Sequence, residues 1–275
     1  MQKLGEMKHV NVSRWFNKDA TVTDIGSKKV VTCMESDRVK NVLHILSDRY
    51  RRLPVTDREG NLKGMVASTD IIRELSGVGK KRKLELEVRI KDAMTKNVFT
   101  IDRNTKMNDA IEFFRKHRKG SYPITYRKKL VGTISEWDIV RQIRGNMGVR
   151  VSDLMIRKPL VAQDSHTVLD VSKMLGMGGF RRLPVVRNGI LVGIITPRDI
   201  LSHLHKNNIP VKLREQKSSV KIIMTSRVYT VSPDDDAYEA VKLMITKRIG
   251  GLPVVEDHEL LGIITERDIV DVIEL

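Results

Sequence analysis

The chain lacks several features that define large classes of protein. Cys33 is the single cysteine in 275 residues, so no internal disulfide can form, and this sparse use of cysteine favours a reducing compartment. No apolar run reaches the roughly 18 residues that a membrane-spanning helix needs, and the N-terminal residues contain no apolar signal core. We therefore expect a cytoplasmic protein that has no membrane partner.

Groupings of residues that indicate catalysis are also missing. The seven histidines are scattered, no Cys/His pair or metal-ligand cluster is visible, and the phosphate-binding pattern Gly-x-x-x-x-Gly-Lys does not occur. His203 and His205 stand close together, but a solvated helix end explains them better than a metal site does. The sequence thus predicts a protein that is not an enzyme, with no catalytic residue, no metal and no catalytic cofactor.

Aromatic residues are few, whereas positive charge is abundant. Aromatic residues make up 4% of the chain and charged residues 31%, and the net charge is +16. Most of the excess lies in residues 1–144, which contain 32 Lys and Arg against 18 Asp and Glu. A basic half can attract nucleic acid, polyphosphate ligands or an acidic partner. It shows no interleaved aromatic residues of the kind on which single strands stack, which argues against nucleic acid.

One motif, Gly-x-x-Ser/Thr-x-x-Asp, occurs four times between an apolar run and a helical run. The copies occupy residues 64–70, 132–138, 193–199 and 262–268, and the first has Ala67 where the others have a hydroxyl. Four copies indicate a repeat protein. The apolar runs suit buried strands, and Ser/Thr-x-x-Asp is close to a capping box that begins a helix. Capping alone can explain the motif, although a helix N-terminus also favours anions.

Each repeat reads as β-α-β-β-α, a unit too small to bury much apolar surface alone. In the first repeat, residues 30–32 predict a short strand, and the apolar spacing that follows predicts an amphipathic helix. Residues 53–56 and 62–67 predict two further strands before a second helix. The predicted fold class is therefore a mixed one (α+β or α/β).

The spacing of the repeats indicates that they are arranged in pairs. The motif aspartates are 68, 61 and 69 residues apart, a long, short, long spacing. We expect chain neighbours, repeats 1 and 2 and repeats 3 and 4, to share a core. The expected divisions are a lead-in (1–22), repeat 1 (23–76), a linker (77–88), repeat 2 (89–144), repeat 3 (150–205), a second linker (206–217) and repeat 4 (218–275).

Three patterns together resemble the CBS domain, named after cystathionine β-synthase, whose tandem pairs are called Bateman modules. The patterns are Asp-x-Met near a repeat start, as in residues 92–94 and 153–155, Leu-Pro-Val in the second strand, and Gly-Ile-Ile-Thr-x-Arg-Asp. Four repeats in two pseudo-twofold pairs are similar to stand-alone archaeal and bacterial CBS proteins. The same number occurs in the γ subunit of AMP-activated protein kinase.

The resemblance implies an adenosine ligand, either a nucleotide (AMP, ADP or ATP) or S-adenosylmethionine, held in a cleft between paired repeats. The implied ribose contacts are Asp70, Asp138, Asp199 and Asp268, and the implied phosphate contacts are Ser135, Thr196 and Thr265. Basic residues two and three positions before the proline also reach phosphate in the kinase subunit, and here they are Arg51, Arg52, Arg181 and Arg182. Arg198 and Arg267, beside the motif aspartate, can add charge.

Repeats 2 and 4 differ from repeats 1 and 3 at the positions of these arginines. They have Gly120 and Ser121, and Gly250 and Gly251, where repeats 1 and 3 have paired arginines. We therefore expect the arginines of one repeat to serve the ligand of its neighbour, although solubility alone can also account for surface arginines. Ala67 makes the site of repeat 1 the weakest.

The favoured hypothesis is a regulatory adenosine-ligand sensor that changes its association with a partner protein. The alternative is a nucleic-acid-binding protein that uses its basic half, in particular residues 77–88 with Lys80, Lys81, Arg82 and Lys83. A scaffold with empty clefts is a weaker third possibility. The sequence leaves open which ligand binds, how many of the four sites fill, which protein is regulated and whether the chain forms a homodimer.

Overall fold

The computed structural model describes residues 9–17, 19–48, 50–78, 87–178, 180–206 and 217–275. The helices are α1 (Val22–Ile25), α2 (Val39–Asp48), α3 (Ser68–Ser76), α4 (Ile90–Ala93), α5 (Met107–His117), α6 (Glu136–Val140), α7 (Val151–Leu154), α8 (Val168–Gly176), α9 (Pro197–Lys206), α10 (Ala237–Lys247) and α11 (Glu266–Val272). The strands are β1 (Val10–Asn11), β2 (Cys33–Met34), β3 (Arg52–Thr56), β4 (Leu62–Ala67), β5 (Ile101–Asp102), β6 (Ser121–Tyr126), β7 (Lys129–Ser135), β8 (Ile156–Arg157), β9 (Ala162–Gln163), β10 (Leu183–Arg187), β11 (Ile190–Ile195), β12 (Gly251–Glu256), β13 (Glu259–Thr265) and β14 (Ile273–Glu274).

Each repeat folds as a small sheet with two main helices, which confirms the β-α-β-β-α prediction, and a four-residue helix (α1, α4 or α7) precedes this unit in repeats 1 to 3. In repeat 1, β2 runs parallel to β3, and β3 pairs antiparallel with β4. Repeat 2 (β5, β6, β7) and repeat 3 (β9, β10, β11) have the same pairing. Repeat 4 has the β12–β13 hairpin, and a single parallel bridge from Val231 to Val254 replaces its first strand. A parallel pair requires a crossover connection, which α2, α5, α8 and α10 supply.

The strand predicted at residues 30–32 is wrong, because the first strand of repeat 1 is Cys33–Met34. Cys33 and Met34 pair with Val55 and Thr56. Cys33 is buried, whereas 37% of the surface of Val31 is exposed. The β-branched residues of the predicted strand have the right intrinsic preference, but pairing with β3 decides which residues form the ladder.

The chain forms two units, and each contains two repeats that are not neighbours along the chain. Unit 1 (Met1–Val30, Phe99–Pro159 and Tyr229–Leu275) contains repeats 2 and 4, and unit 2 (Val31–Val98 and Leu160–Val228) contains repeats 1 and 3. The large buried hydrophobic clusters join the repeats in this same way. This corrects the expectation that chain neighbours share the core. The reason is that the two helices of each repeat leave an apolar side, which the helices of the other repeat in the unit cover.

In unit 2, α3 packs against α8 and α2 packs against α9. Ile71, Ile72 and Leu175 are among the largest fully buried side chains at these contacts. Gly176 of α8 lies so close to α3 that an added Cβ would be 3.0 Å from the Cα of Arg73. Close helix approach therefore favours glycine at this position.

In unit 1, α11 packs against α5, α6 and α10. The lead-in belongs to this unit, because β1 runs parallel to β14 and Val12 is fully buried in the core of the unit. Phe16 is buried and Trp15 packs on the same cluster. Strands β1 and β14 thus form a small two-stranded sheet that belongs to unit 1.

Chain neighbours are linked by exchanged segments at the start of each repeat. Thr95, from the start of repeat 2, bridges Met65 in β4 of repeat 1, and Ser27 bridges Thr133 in β7 of repeat 2. In the second pair, β8 joins β13, and Thr225 bridges Ile194 in β11. The third strand of every repeat (β4, β7, β11 and β13) is therefore hydrogen-bonded to a segment from the chain-neighbour repeat.

The exchanged segments explain the glycine that begins every motif copy. An added Cβ on Gly64 would lie 2.4 Å from the carbonyl oxygen of Thr95, and one on Gly132 would lie 2.9 Å from that of Ser27. On Gly262 it would lie 2.7 Å from the Sδ atom of Met155, the methionine of an Asp-x-Met pattern. On Gly193 it would lie 2.6 Å from the Sδ atom of Met224, which stands at the corresponding place in repeat 4. The motif glycine and the start of the chain-neighbour repeat, which are far apart in sequence, therefore lie in direct contact in the fold.

Gly64→Ala should lower the free energy of unfolding by about 1–3 kcal/mol, because its Cβ would meet a backbone oxygen that cannot move aside. Urea denaturation measures the change. Gly145→Ala is the matched control, because its Cβ would lie at an ordinary 3.5 Å from the Trp15 ring. Equal stability of the two variants would contradict the explanation.

Candidate functional site

Each motif lies at the junction between the third strand of a repeat and its last helix. There the aspartate carboxylate accepts a hydrogen bond from the backbone N–H three residues earlier. The N···O distances are 3.0 Å for Asp70, 2.9 Å for Asp138, 2.8 Å for Asp199 and 2.7 Å for Asp268. The predicted capping role of the motif is confirmed in all four repeats, and Pro197 occupies the first position of α9, where its missing N–H is harmless.

In three repeats the motif hydroxyl donates to the same carboxylate oxygen, Oδ2. The O···O distance is 2.6 Å for Ser135, 2.6 Å for Thr196 and 2.7 Å for Thr265. Ala67 cannot make this bond, as the sequence predicts. Groups at the strand end thus hydrogen-bond to Oδ2 of each carboxylate, so the contacts available to a ligand depend on the other oxygen, Oδ1.

The second carboxylate oxygen, Oδ1, differs between repeats. In Asp70 it accepts a hydrogen bond from Arg73, and in Asp138 it lies 3.5 Å from the guanidinium of Arg141. In Asp199 and Asp268 it forms no hydrogen bond or ion pair with any residue that the structure describes. Repeats 3 and 4 therefore present the more open carboxylates.

Burial raises the pKa of three motif aspartates. For Asp268 the pKa rises to about 6, mainly because burial disfavours the charged form, and the nearby charges of Asp271 and Glu136 add to the effect. Burial also raises the pKa of Asp138 and Asp199, while hydrogen bonds from Ser135 and Thr196 oppose the rise. The Asp268 residue as a whole is only half-buried, whereas its carboxylate is weakly hydrated.

The arginines of repeats 1 and 3 lie beside the motif of their own repeat. Arg52 in β3 pairs directly with Ala67 at the end of β4. The carbonyl of Arg51 accepts the N–H of Ser68, the first residue of α3, at 3.0 Å. In repeat 3, Leu183 pairs with Ile195, so Arg182 and Thr196 come next along the two strands.

In repeats 2 and 4, small residues occupy these positions beside the motif. Ser121 pairs with Ser135, and Gly251 pairs with Thr265. Unit 2 thus contains all the candidate arginines that precede the strand proline, and unit 1 contains the two repeats with glycine and serine at those positions. The residues in unit 2 are Arg51, Arg52, Asp70, Arg181, Arg182, Thr196, Arg198 and Asp199; those in unit 1 are Ser135, Asp138, Thr265, Arg267 and Asp268.

The two arginines beside the motif aspartates make contacts with the other repeat of their unit. Nε of Arg198 donates to the carbonyl oxygen of Ser47 at 2.6 Å. Nε of Arg267 donates to Glu136 at 2.7 Å, and Glu136 is almost completely buried. The guanidinium groups of Arg198 and Arg267 thus connect the two repeats of their unit, and these contacts engage them away from a ligand.

The remaining sequence-based candidates are the neighbouring histidines of α9 and the basic run at residues 80–83. The His205 ring lies 6.2 Å from the His44 ring, and no group of three or more His, Cys, Asp or Glu among the described residues is arranged to hold a metal ion. Lys80, Lys81, Arg82 and Lys83 lie outside the described residues. Sequence reasoning missed Glu136 and Asp271, whose only signal is that each is an acid within a motif helix.

The family model for the CBS domain matches residues 22–77, 90–145, 151–206 and 219–275. The chain therefore belongs to the CBS-domain family, which confirms the resemblance. No helix in the described ranges is long and apolar enough to span a bilayer.

Among individual proteins, the chain is similar to the uncharacterised protein MJ1225 of Methanocaldococcus jannaschii. The two are 30% identical over 271 residues, which is 88% of this chain and 95% of MJ1225. The crystal structure of MJ1225, a candidate archaeal homologue of the γ subunit of AMP-activated protein kinase, matches with a TM-score of 0.83 and covers 91% of this chain and 99% of that one. A conserved protein from Pyrococcus horikoshii shares the fold at 22% identity, with a TM-score of 0.62, over 92% of this chain and 99% of its own.

The raised pKa of Asp268 predicts the pH dependence of the Asp268→Asn variant. The folded protein holds a proton on this group more tightly than the unfolded chain, so its favourable contribution is lost as pH rises from the ordinary value near 3.8 through about 6. The free energy of unfolding of the wild type should therefore fall relative to that of Asp268→Asn over this range and level off above pH 7. Denaturant titrations at several pH values measure the difference.

Asp164→Asn is the control for this experiment. Lys221 and Arg187 lower the pKa of Asp164, so its titration lies below the ordinary range. Its difference from the wild type should stay flat between pH 4.5 and pH 7. A flat difference for Asp268→Asn as well would show that the Asp268 carboxylate is not held in its neutral form.

Proposed function

We propose that the chain is a regulatory module that binds adenosine ligands through its CBS repeats and catalyses no reaction. The observation that carries the proposal is the pair of open carboxylate oxygens at Asp199 and Asp268. Each sits beside a threonine hydroxyl at a strand-to-helix junction, and neither aspartate is completely buried.

This arrangement suits a ribose. The backbone N–H and the threonine hydroxyl orient the carboxylate through Oδ2, so Oδ1 can accept hydrogen bonds from ribose hydroxyls, as acidic residues do in other nucleotide folds. At repeat 3 the first turn of α9, a helix of 10 residues, adds backbone N–H groups that favour a phosphate. Ser135 and Asp138 would form a similar site in repeat 2, and Asp70 would contribute least, because both its oxygens are engaged.

A regulatory role rests on the type of protein that the chain is similar to. MJ1225 is a candidate homologue of a kinase regulatory subunit and is covered almost completely by this chain. We propose the same kind of role here, in which the bound ligand alters association with a partner protein or with a second copy of the chain. The single cysteine fits a reducing compartment such as the cytoplasm.

Calorimetry with AMP, ATP and S-adenosylmethionine tests the proposal. We expect binding that Asp199→Ala and Asp268→Ala each weaken at least about tenfold, which corresponds to the loss of a hydrogen bond to a charged group. Asp170→Ala is the matched control. Asp170 makes the same capping contacts with Thr167, at 2.9 Å and 2.7 Å, at the start of α8 and away from the motif.

Two results would contradict the proposal. One is the absence of binding of all three compounds to ligand-free protein. The other is binding to nucleic acid that falls steeply with salt and depends on Lys80, Lys81, Arg82 and Lys83 more than on any motif aspartate.

The arginine pair of repeat 3 should distinguish phosphorylated ligands from unphosphorylated ones. Arg181→Gln/Arg182→Gln should weaken AMP and ATP binding at least about tenfold and leave S-adenosylmethionine binding near the wild-type value, because that ligand carries no phosphate. Lys173→Gln/Arg187→Gln removes the same charge elsewhere in repeat 3. Equal losses for both ligands would refute a phosphate contact.

The same titrations in the Asp199→Ala and Asp268→Ala backgrounds show whether Arg181 and Arg182 serve the ligand of their own repeat or, as the sequence pattern predicts, that of the chain neighbour.

A further inference from the structure

A buried ion pair joins the motif of repeat 2 to the motif of repeat 4 within unit 1. Nε of Arg267 donates to Oε1 of Glu136 at 2.7 Å, and a second guanidinium nitrogen contacts the same oxygen. The side chains are only 17% and 2% exposed. Because burying charged groups is unfavourable unless they are paired in good geometry, breaking this pair leaves a charge that must find another partner.

The position of the pair in the sequence gives it influence over the candidate site. Arg267 immediately precedes Asp268 in the first turn of α11, and Glu136 immediately follows Ser135 in the first turn of α6. These two helices pack against each other. Glu136 therefore determines where the cation nearest to Asp268 along the chain is held.

The electrostatic effects of the two motifs on each other are reciprocal. The charge of Glu136, on α6, helps to raise the pKa of Asp268, and the charge of Glu266, on α11, helps to raise the pKa of Asp138. Asp271 also raises the pKa of Asp268, and Arg118 pairs with Asp271 at 3.1 Å.

Unit 2 has no acidic residue at the corresponding positions. Ser68 and Pro197 occupy the places of Glu136 and Glu266, and Arg198 donates to the backbone carbonyl of Ser47. Ser68 hydrogen-bonds with its hydroxyl to the carbonyl of Arg51 at 3.2 Å. An ion pair between motif residues is therefore a feature of unit 1 within the described structure.

We propose that Glu136, a residue of repeat 2, is a positioning residue for the ligand site of repeat 4. By holding the Arg267 guanidinium, it keeps the nearest cation away from Oδ1 of Asp268, so that this oxygen stays available to the ligand. Without Glu136, Arg267 turns to the open oxygen and occupies it. This inference rests on the proposed binding of an adenosine ligand at Asp268.

The first test measures the Asp268 carboxylate directly, by carbon NMR of labelled aspartates titrated with acid. Glu136→Gln should lower the pKa of Asp268 toward its ordinary value, because a negative neighbour is lost and Arg267 is released toward the carboxylate. Asp271 and Arg118 remain in place and are common to both proteins. Glu239→Gln, which removes an exposed acid paired with Lys242 on α10, should leave the pKa unchanged.

The second test measures ligand affinity by calorimetry with AMP and S-adenosylmethionine. The binding component that Asp268→Ala abolishes should weaken about tenfold in Glu136→Gln, which corresponds to the loss of one hydrogen bond to a charged group. Glu136→Asp keeps the charge and should restore most of the affinity. Glu239→Gln should bind like the wild type.

Several outcomes would overturn the inference. If Glu136→Gln lowers only the melting temperature while the pKa of Asp268 and the ligand affinity stay at wild-type values, Glu136 is merely structural. If Glu136→Gln does not fold, Glu136→Gln/Arg267→Gln replaces it, because it removes both buried charges. With no cation left to occupy Oδ1 of Asp268, this variant should keep the wild-type affinity, and a tenfold loss there would refute the positioning role. Ligand binding that Glu136→Gln leaves intact ends this inference alone, whereas a wild type that binds no adenosine compound ends the proposed function as well.

Discussion

In every repeat of this protein, the backbone N–H at the end of the third strand donates a hydrogen bond to the carboxylate of an aspartate three residues further along the chain. This bond ends the strand, begins the helix and holds one carboxylate oxygen in a fixed direction. Because that oxygen is already used, the chemistry available to a ligand depends on the other one. Asp70 and Asp138 share it with an arginine of their own helix, whereas Asp199 and Asp268 leave it open.

The same junction is constrained from the other side by the exchanged segments. The backbone at Gly64 and Gly132 is approached so closely by a carbonyl that any side chain would collide with it, and the methionines of the chain-neighbour repeat lie against Gly193 and Gly262. The third strand, the motif and the start of the neighbouring repeat are therefore one structural element. This contact links chain neighbours, while the hydrophobic cores join repeats 1 with 3 and 2 with 4.

The four repeats share a fold and differ in charge beside the motif. Repeats 1 and 3 place arginines next to the strand end, and repeats 2 and 4 place serine or glycine there and add the buried Glu136–Arg267 pair. Burial raises the pKa of both Asp199 and Asp268, but nearby acids raise it further at Asp268, whereas Arg198 opposes the rise at Asp199. A single motif thus supports sites of unequal electrostatic character.

The sequence by itself determined the local structure: the number of repeats, the β-α-β-β-α order, the capping contacts and the missing hydroxyl hydrogen bond at Ala67. These follow from periodicity and from hydrogen bonds between residues at most four apart, which a pattern of residue types records directly. It did not determine the first strand of repeat 1, the pairing of repeats in the cores, or the roles of Arg198, Arg267 and Glu136. The core pairing depends on which apolar helix faces meet, and the roles of the charged residues depend on contacts between distant positions. Arg267 and Glu136, for example, are 131 residues apart in the chain. Only the packed tertiary structure brings such groups together.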